Sequence, residues 1–242
     1  MNSDNLILAI ETSRRKWGVS LLDGKREISH RIGSDTISGS EVLLTAISLL
    51  LEENQTMLRE LKAIAVSQGP GSFTGIRVGL ATARALAFGS RLICGGVSLF
   101  EAMALIPESS AEENEVFVVI SAGRQQIYWQ RLIVRGLLIS SRSLACVEDF
   151  SLFLQRLKEV SERQREPDEN LFVVLDDELT AKAVQNSEAL HSQVKIIIAS
   201  DNLSKYVGLR YEALLSENFS ETIQNSFEST LPLYVREVRI GN

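Results

Sequence analysis

Cysteine and histidine are nearly missing from this chain of 242 residues, which has two of each. Cys94 and Cys146 are too few for a disulfide framework or a cysteine-rich metal site, and they fit a reducing compartment. His30 and His191 form no HxxxH or HExxH pair, so a zinc cluster and a histidine-assisted nucleophile both lack their parts. Long apolar runs are also wanting. Stretches such as Ile47–Leu51 fall far short of the roughly 18–20 residues that a membrane helix needs. The early run Leu6–Ile10 sits between Asp4 and Glu11, without the basic flank and cleavage site of a secretory signal. A soluble, cytoplasmic protein with no membrane contact is the expectation. Excess positive charge is missing as well: the formal net charge is −6. Residues 1–110 balance 11 Lys/Arg against 11 Asp/Glu, and the rest carry 14 against 20, so the whole acidic surplus falls in the second half. Affinity for nucleic acid comes mainly from Lys and Arg neutralising phosphates, so this chain is not expected to grip RNA alone.

What remains is an ordinary globular composition, 45% hydrophobic, with enough length for two lobes. Leu6–Thr12, Trp17–Leu22 and Arg26–Ile32 have strand patterns, with Asp23-Gly24 as a hairpin turn between the last two. A helix is expected from Ser40 to about Glu53, a strand over Leu61–Ser67, and a helix from about Phe73 to Phe88. Arg91–Cys94 reads as a short strand and Leu99–Leu105 as a short helix. The polar, acidic stretch Pro107–Asn114 is the expected linker, which gives lobes at 1–108 and 109–242. The second half repeats the order. Its strands are Val116–Ser121, Gln126–Val134, about Leu137–Cys146, Leu171–Leu175 and Val194–Ala199, and its helices are about Asp149–Arg163, Glu178–Asn186 and Asp201–Leu215. Each half is therefore β-β-β-α-β-α-β-α, which implies a mixed sheet with crossover helices. Two such lobes in tandem is the layout of the duplicated actin-like ATPase (ASKHA) fold, of α/β class.

The most specific stretch runs from Ser67 through Gln68-Gly69-Pro70-Gly71-Ser72-Phe73-Thr74-Gly75-Ile76-Arg77 to Val78-Gly79. Glycines allow a sharp turn, Pro70 stiffens it, and Ser72 is placed to cap the following helix. Strand–loop–helix junctions expose amides that can hold an anion, which makes Gly69, Gly71 and Ser72 a candidate anion-binding loop. A plain structural turn and a docking surface are the other readings. The loop lacks the Lys-[Ser/Thr] ending of a Walker A motif and the Gly-x-Ser-x-Gly frame of a nucleophile elbow.

Two helices carry further signals. Gly75, Gly79 and Ala83 recur every four residues, a small-residue ridge along which another backbone can approach, either within the lobe or across an interface. The other helix bears Val42, Leu43, Leu44, Ala46, Ile47, Leu49, Leu50 and Leu51, more than one apolar stripe needs. From these two helices Val42, Leu43, Ile47, Leu50, Gly75, Gly79 and Ala83 are the expected partner interface.

Gly69-Pro70-Gly71-Ser72-Phe73-Thr74-Gly75-Ile76-Arg77 resembles the signature of the TsaB (YeaZ) family. Ile10-Glu11-Thr12-Ser13 and Gly95-Gly96-Val97-Ser98-Leu99 support the resemblance, while Tyr128-Trp129 and Pro232-Leu233-Tyr234-Val235-Arg236 fit more loosely. The resemblance implies a duplicated actin-like fold and a subunit without chemistry or cofactor of its own. It implies a TsaD-type catalytic subunit as direct partner and a TsaE-type ATPase in the same complex. The complex threonylcarbamoylates adenosine 37 of tRNAs reading ANN codons, and tRNA is met only through it. Self-pairing through the same face stays open. The chain departs from the family's pattern at Gly39-Ser40-Glu41 (usually His-Ser-Glu), at Ser121-Ala122-Gly123 (often Asp-Ala-Arg) and at Leu175-Asp176-Asp177, where a Gly-x-Gly turn is usual. These losses weigh against a nucleotide site in the chain's own cleft.

Two enzyme readings compete. An actin-like phosphotransferase or ATPase would use Glu11 as a metal-binding carboxylate with Thr12 and Ser13 as donors, but Arg14-Arg15-Lys16 follows where a phosphate needs glycine. A peptidase would need the metal cluster or nucleophile–histidine pair already found wanting.

Overall fold

The computed structural model describes residues 5–33, 40–162, 170–187, 194–217, 231–233 and 236–237. Contacts divide the chain into two units: Met1–Ala102 with Asp201–Leu233, and Met103–Ser200 with Tyr234–Asn242. Each has its own mixed sheet, as the duplicated actin-like fold requires.

In the first unit the strands are β1 (Leu6–Glu11), β2 (Trp17–Asp23), β3 (Arg26–Gly33), β4 (Ala63–Ser67) and β5 (Ile93–Val97), in the order β3-β2-β1-β4-β5. The three hairpin-linked strands pair antiparallel, whereas β1-β4-β5 are parallel. Parallel neighbours need crossovers, which α1 (Ser40–Glu53) and α2 (Phe73–Ser90) supply before α3 (Leu99–Ala104) begins. Every residue of β1 is buried, so both faces of the sheet need a cover. Leu6, Leu8 and Ile10 pack beneath α1 and α2 with Leu43, Ile47, Leu50, Ile76, Leu80 and Ala83. Ile7 and Ala9 point the other way, into a cluster with Val207, Tyr211 and Leu215.

Those last three residues belong to α6 (Ser204–Glu217), which element order assigns to the second lobe. The structure puts it on the first sheet, because the apolar back of β1 needs a helix and no earlier element covers it. Arg210, nearly buried, helps to fix α6 by donating to Glu101 at 2.8 Å and to Glu217 at 3.0 Å. The division near the linker falls between Ala102 and Met103, a few residues ahead of the 108/109 boundary expected from composition.

The second unit holds β6 (Asn114–Gly123), β7 (Gln126–Arg135), β8 (Leu138–Ser141), β9 (Cys146–Asp149), β10 (Asn170–Leu175), β11 (Val194–Ile198) and β12 (Arg236–Glu237), with α4 (Phe150–Ser161) and α5 (Glu178–Gln185). The order is β11-β10-β6-β7-β9-β12, and β8 also pairs with β7. Phe117, Trp129 and Phe153 centre its core, with ring centroids 5.7–6.0 Å apart. The single strand expected over Leu137–Cys146 is two. The amides of Arg142 and Ser143 both turn onto the Arg131 carbonyl, at 2.9 and 3.3 Å, and the chain leaves the ladder before rejoining β7 as β9.

Candidate functional site

The end of β1 and the start of α2 lock together. Glu11, Thr12 and Ser13 are polar yet almost fully buried. The Thr12 hydroxyl donates to the Gly75 carbonyl at 2.8 Å, and the Ser72 amide donates to the Ser13 carbonyl at 2.6 Å. Ser72 caps α2, its Oγ accepting the Gly75 amide at 3.2 Å. A Cβ at Gly75 would lie 1.9 Å from the Thr12 carbonyl oxygen, and one at Gly79 would lie 2.2 Å from Thr12 Oγ1. Close approach, not flexibility, is why glycine stands at both positions. The small-residue ridge of α2 therefore meets the turn after β1 inside its own unit.

The two helices expected to form one interface thus differ. Of the seven residues named for it, only Val42 is exposed. Leu43, Ile47 and Leu50 form the i, i+4, i+7 stripe that faces the core, and Gly75, Gly79 and Ala83 are buried in α2. Val42, Leu44 and Leu49, each 41–43% exposed, instead border the core stripe, Leu44 on one flank of the helix and Val42 with Leu49 on the other. Shallow grooves run along both flanks of the helix. Leu44, Ser48, Leu51, Leu58 and Leu86 line one, and Trp17, Ile32, Val42, Thr45 and Leu49 line the other. Phe73, half exposed at the start of α2, is stacked by the Arg77 guanidinium 3.6 Å from its centroid.

The candidate anion loop spends donors internally. The Gly69 amide donates to Ser67 Oγ at 3.2 Å, and the Ser72 amide is already taken by Ser13. Glu11 lies beside this junction, with its carboxyl group bound by the Ser13 amide at 2.6 Å and by the Ser13 hydroxyl. Burial pushes its pKa above the usual carboxylate range, while the Ser13 and Arg14 groups pull against that rise.

In the second unit Asp176 fills the comparable strand-end turn, its Oδ1 accepting the Ser121 amide at 2.9 Å. Its neighbour Asp177 caps α5. Burial opposes ionisation of Asp177, but the hydroxyl and amide of Thr180 and the Leu179 amide outweigh it and lower its pKa. Both thiols are buried, which pushes Cys94 and Cys146 up to about 12 and leaves little thiolate at neutral pH. Among the described residues, no group of three or more His, Cys, Asp and Glu side chains is placed to hold a metal ion. No helix among them is long and apolar enough to cross a membrane.

Residues 38–156 match the family of tRNA N6-adenosine threonylcarbamoyltransferase, TsaD. The chain is 29% identical over 172 residues to the tRNA threonylcarbamoyladenosine biosynthesis protein TsaB of Haemophilus influenzae, covering 71% of this chain and 68% of that one. To the Escherichia coli TsaB it is 31% identical over 123 residues, covering 51% and 53%. YeaZ from Pseudomonas aeruginosa has the same fold, with a TM-score of 0.69 over 95% of this chain and 99% of that one at 22% identity. In sequence the chain is similar to TsaB proteins, and in fold to YeaZ. The matched stretch spans about half the length of the E. coli relative and about two thirds of the H. influenzae one, and the residues matched to the TsaD model include Gly69–Arg77.

Sequence reasoning missed Thr12 as the ridge's partner, Glu11 as an acceptor closing its own turn, and Leu44 and Leu49 as the exposed residues of α1. The last had a legible signal: Leu43, Ala46, Ile47, Leu50 and Leu51 keep the core period, and Val42, Leu44 and Leu49 fall at its margins.

Proposed function

We propose that the chain is a partner subunit that performs no chemistry itself. It binds a TsaD-type catalytic subunit and supports threonylcarbamoylation of adenosine 37 in tRNAs reading ANN codons. The observation that carries this reading is the pair of half-open apolar flanks of α1, with Leu44 exposed in one groove and Val42 and Leu49 in the other. A helical ridge flanked by grooves suits knob-and-groove docking with another helix. The names of the relatives supply the pathway.

Glu11 supports the non-catalytic part of the reading. A metal-binding carboxylate for phosphoryl transfer has to face the nucleotide, and this one is buried and bound by its own turn. A TsaE-type ATPase joins through the complex. tRNA contact likewise comes through the complex, in keeping with the acidic balance. The same face can also pair two copies of the chain.

The test is reconstitution. The wild-type chain is expected to restore tRNA modification to a TsaD–TsaE mixture that is inactive without it, and Leu44→Glu with Leu49→Glu to lose most of that support. ATP hydrolysis by the purified chain that vanishes in Glu11→Ala would favour the phosphotransferase reading instead.

A further inference from the structure

The signature loop meets a distant part of the chain at one residue. Within the first unit the Leu233 amide donates to the Gln68 carbonyl at 3.0 Å, and Gln68 Nε2 donates to the Leu231 carbonyl at 2.7 Å. Leu231 and Leu233 both turn backbone groups to the loop, as alternate residues of an extended segment do. Pro232 lies between them, where its missing N–H costs no bond. The backbone donors nearest the Gln68 carbonyl are spent or missing. The Gln68 amide is given to the Val97 carbonyl at 2.9 Å, the Gly69 amide to Ser67 Oγ at 3.2 Å, and Pro70 has none. The Gln68 carboxamide therefore stands in for a backbone donor, a role that the docking face of α1 does not require.

We infer that Leu231–Leu233 is a clasp on the signature loop that opens and closes without unfolding the unit, and that the Gln68 side chain is its latch. The bond from Gln68 Nε2 is exposed to solvent, Leu231 is 48% exposed, and Pro232 and Leu233 are half-buried. Strand β4, which leads into the same loop, is buried along its whole length and paired on both sides, with β1 and β5. Segments with few buried contacts and solvent-exposed hydrogen bonds open locally at far less cost than global unfolding. The clasp and the strand beside it therefore differ in kind. Opening frees the Gln68 carbonyl and carboxamide together, so the polar groups at the entrance of the signature loop change with the state of the clasp.

The experiment is amide hydrogen exchange on the intact chain, wild type and Gln68→Met, a change that keeps the length of the side chain and removes its donor. In wild type the Leu233 amide should exchange roughly a hundredfold or more faster than those of Ile64 and Val66 in β4. Low denaturant should leave the Leu233 rate unchanged while it raises theirs, because only global unfolding exposes much new surface. Gln68→Met should speed exchange at Leu233 by about three- to tenfold, the effect of one lost hydrogen bond, and leave Ile64 and Val66 as they are. One common rate and denaturant dependence for all three amides would mean that the clasp opens only with the unit, which overturns the inference. A Leu233 rate that Gln68→Met does not change would remove Gln68 as the latch. Failure of Gln68→Met to fold would make this side chain part of the unit's stability and contradict the latch as well. No TsaD-type subunit enters these measurements, so either proposal can fail alone.

Discussion

Helices α1 and α2 lie side by side over one face of the first sheet, yet their unusual residues do opposite things. The oddity of α2 is too little side chain: Gly75 and Gly79 let the turn after β1 come within hydrogen-bonding reach of the helix backbone. The oddity of α1 is too much apolar side chain, and the surplus stands half exposed on both flanks of its core stripe. Small residues in a helix thus mark a close approach without saying to what, whereas apolar residues left exposed beside a core stripe mark a surface in want of cover. The comparison separates folding from docking, and mutations can break it.

The largest effect is expected at Leu50→Ala. This side chain is fully buried, and its loss should cost the isolated chain about 2–5 kcal/mol, against roughly 0.5 kcal/mol or less for Leu49→Ala one position away. Chemical denaturation of the two variants measures the contrast, and equal losses would erase the distinction between the faces of α1. Next comes Gly79→Leu, which must push Thr12 aside and should cost about 1–3 kcal/mol. An unchanged melt with lost partner binding would instead return the ridge of α2 to the interface. Ser72→Ala, which removes the cap of α2, should cost about 1 kcal/mol in the same assay.

A smaller, pH-dependent effect belongs to Glu11. Its folded-state pKa is raised, so the stability linked to its protonation is fully present below the ordinary value of 4.5. That stability is lost as pH rises from there through the folded-state pKa. Melts at a series of pH values should therefore show wild type declining more steeply than Glu11→Gln above pH 4.5. Parallel curves would mean that burial does not hold the proton on Glu11.

Much of this was legible in the sequence. The hairpin-linked strands, the crossover helices and the Ser72 cap all follow from local pattern, and each stands within a few residues of its expected place. The family signature lies where strand, loop and helix meet, as its glycines imply. What could not be read is what depends on long-range contact. Nothing local to residues 204–217 says that they cover β1 rather than β10, because an apolar helix face does not name its sheet. Glu11 is the metal-binding carboxylate that the competing phosphotransferase reading would need, and only the fold shows Ser13 turned upon it and Thr12 turned to Gly75. The burial of Leu43, Ile47 and Leu50 was missed for a different reason. Hydrophobic excess was counted over the whole of α1 before the core stripe had been subtracted.

The most direct test of the docking claim is calorimetric titration of a TsaD-type subunit with the wild-type chain and with the Leu44→Glu, Leu49→Glu variant. A carboxylate on each flank of α1 should weaken association by roughly tenfold or more, about 1.4 kcal/mol at the least, while the melt of the isolated chain stays within a few degrees of wild type. Affinity equal to wild type in a variant of unchanged melt would mean that the partner docks elsewhere.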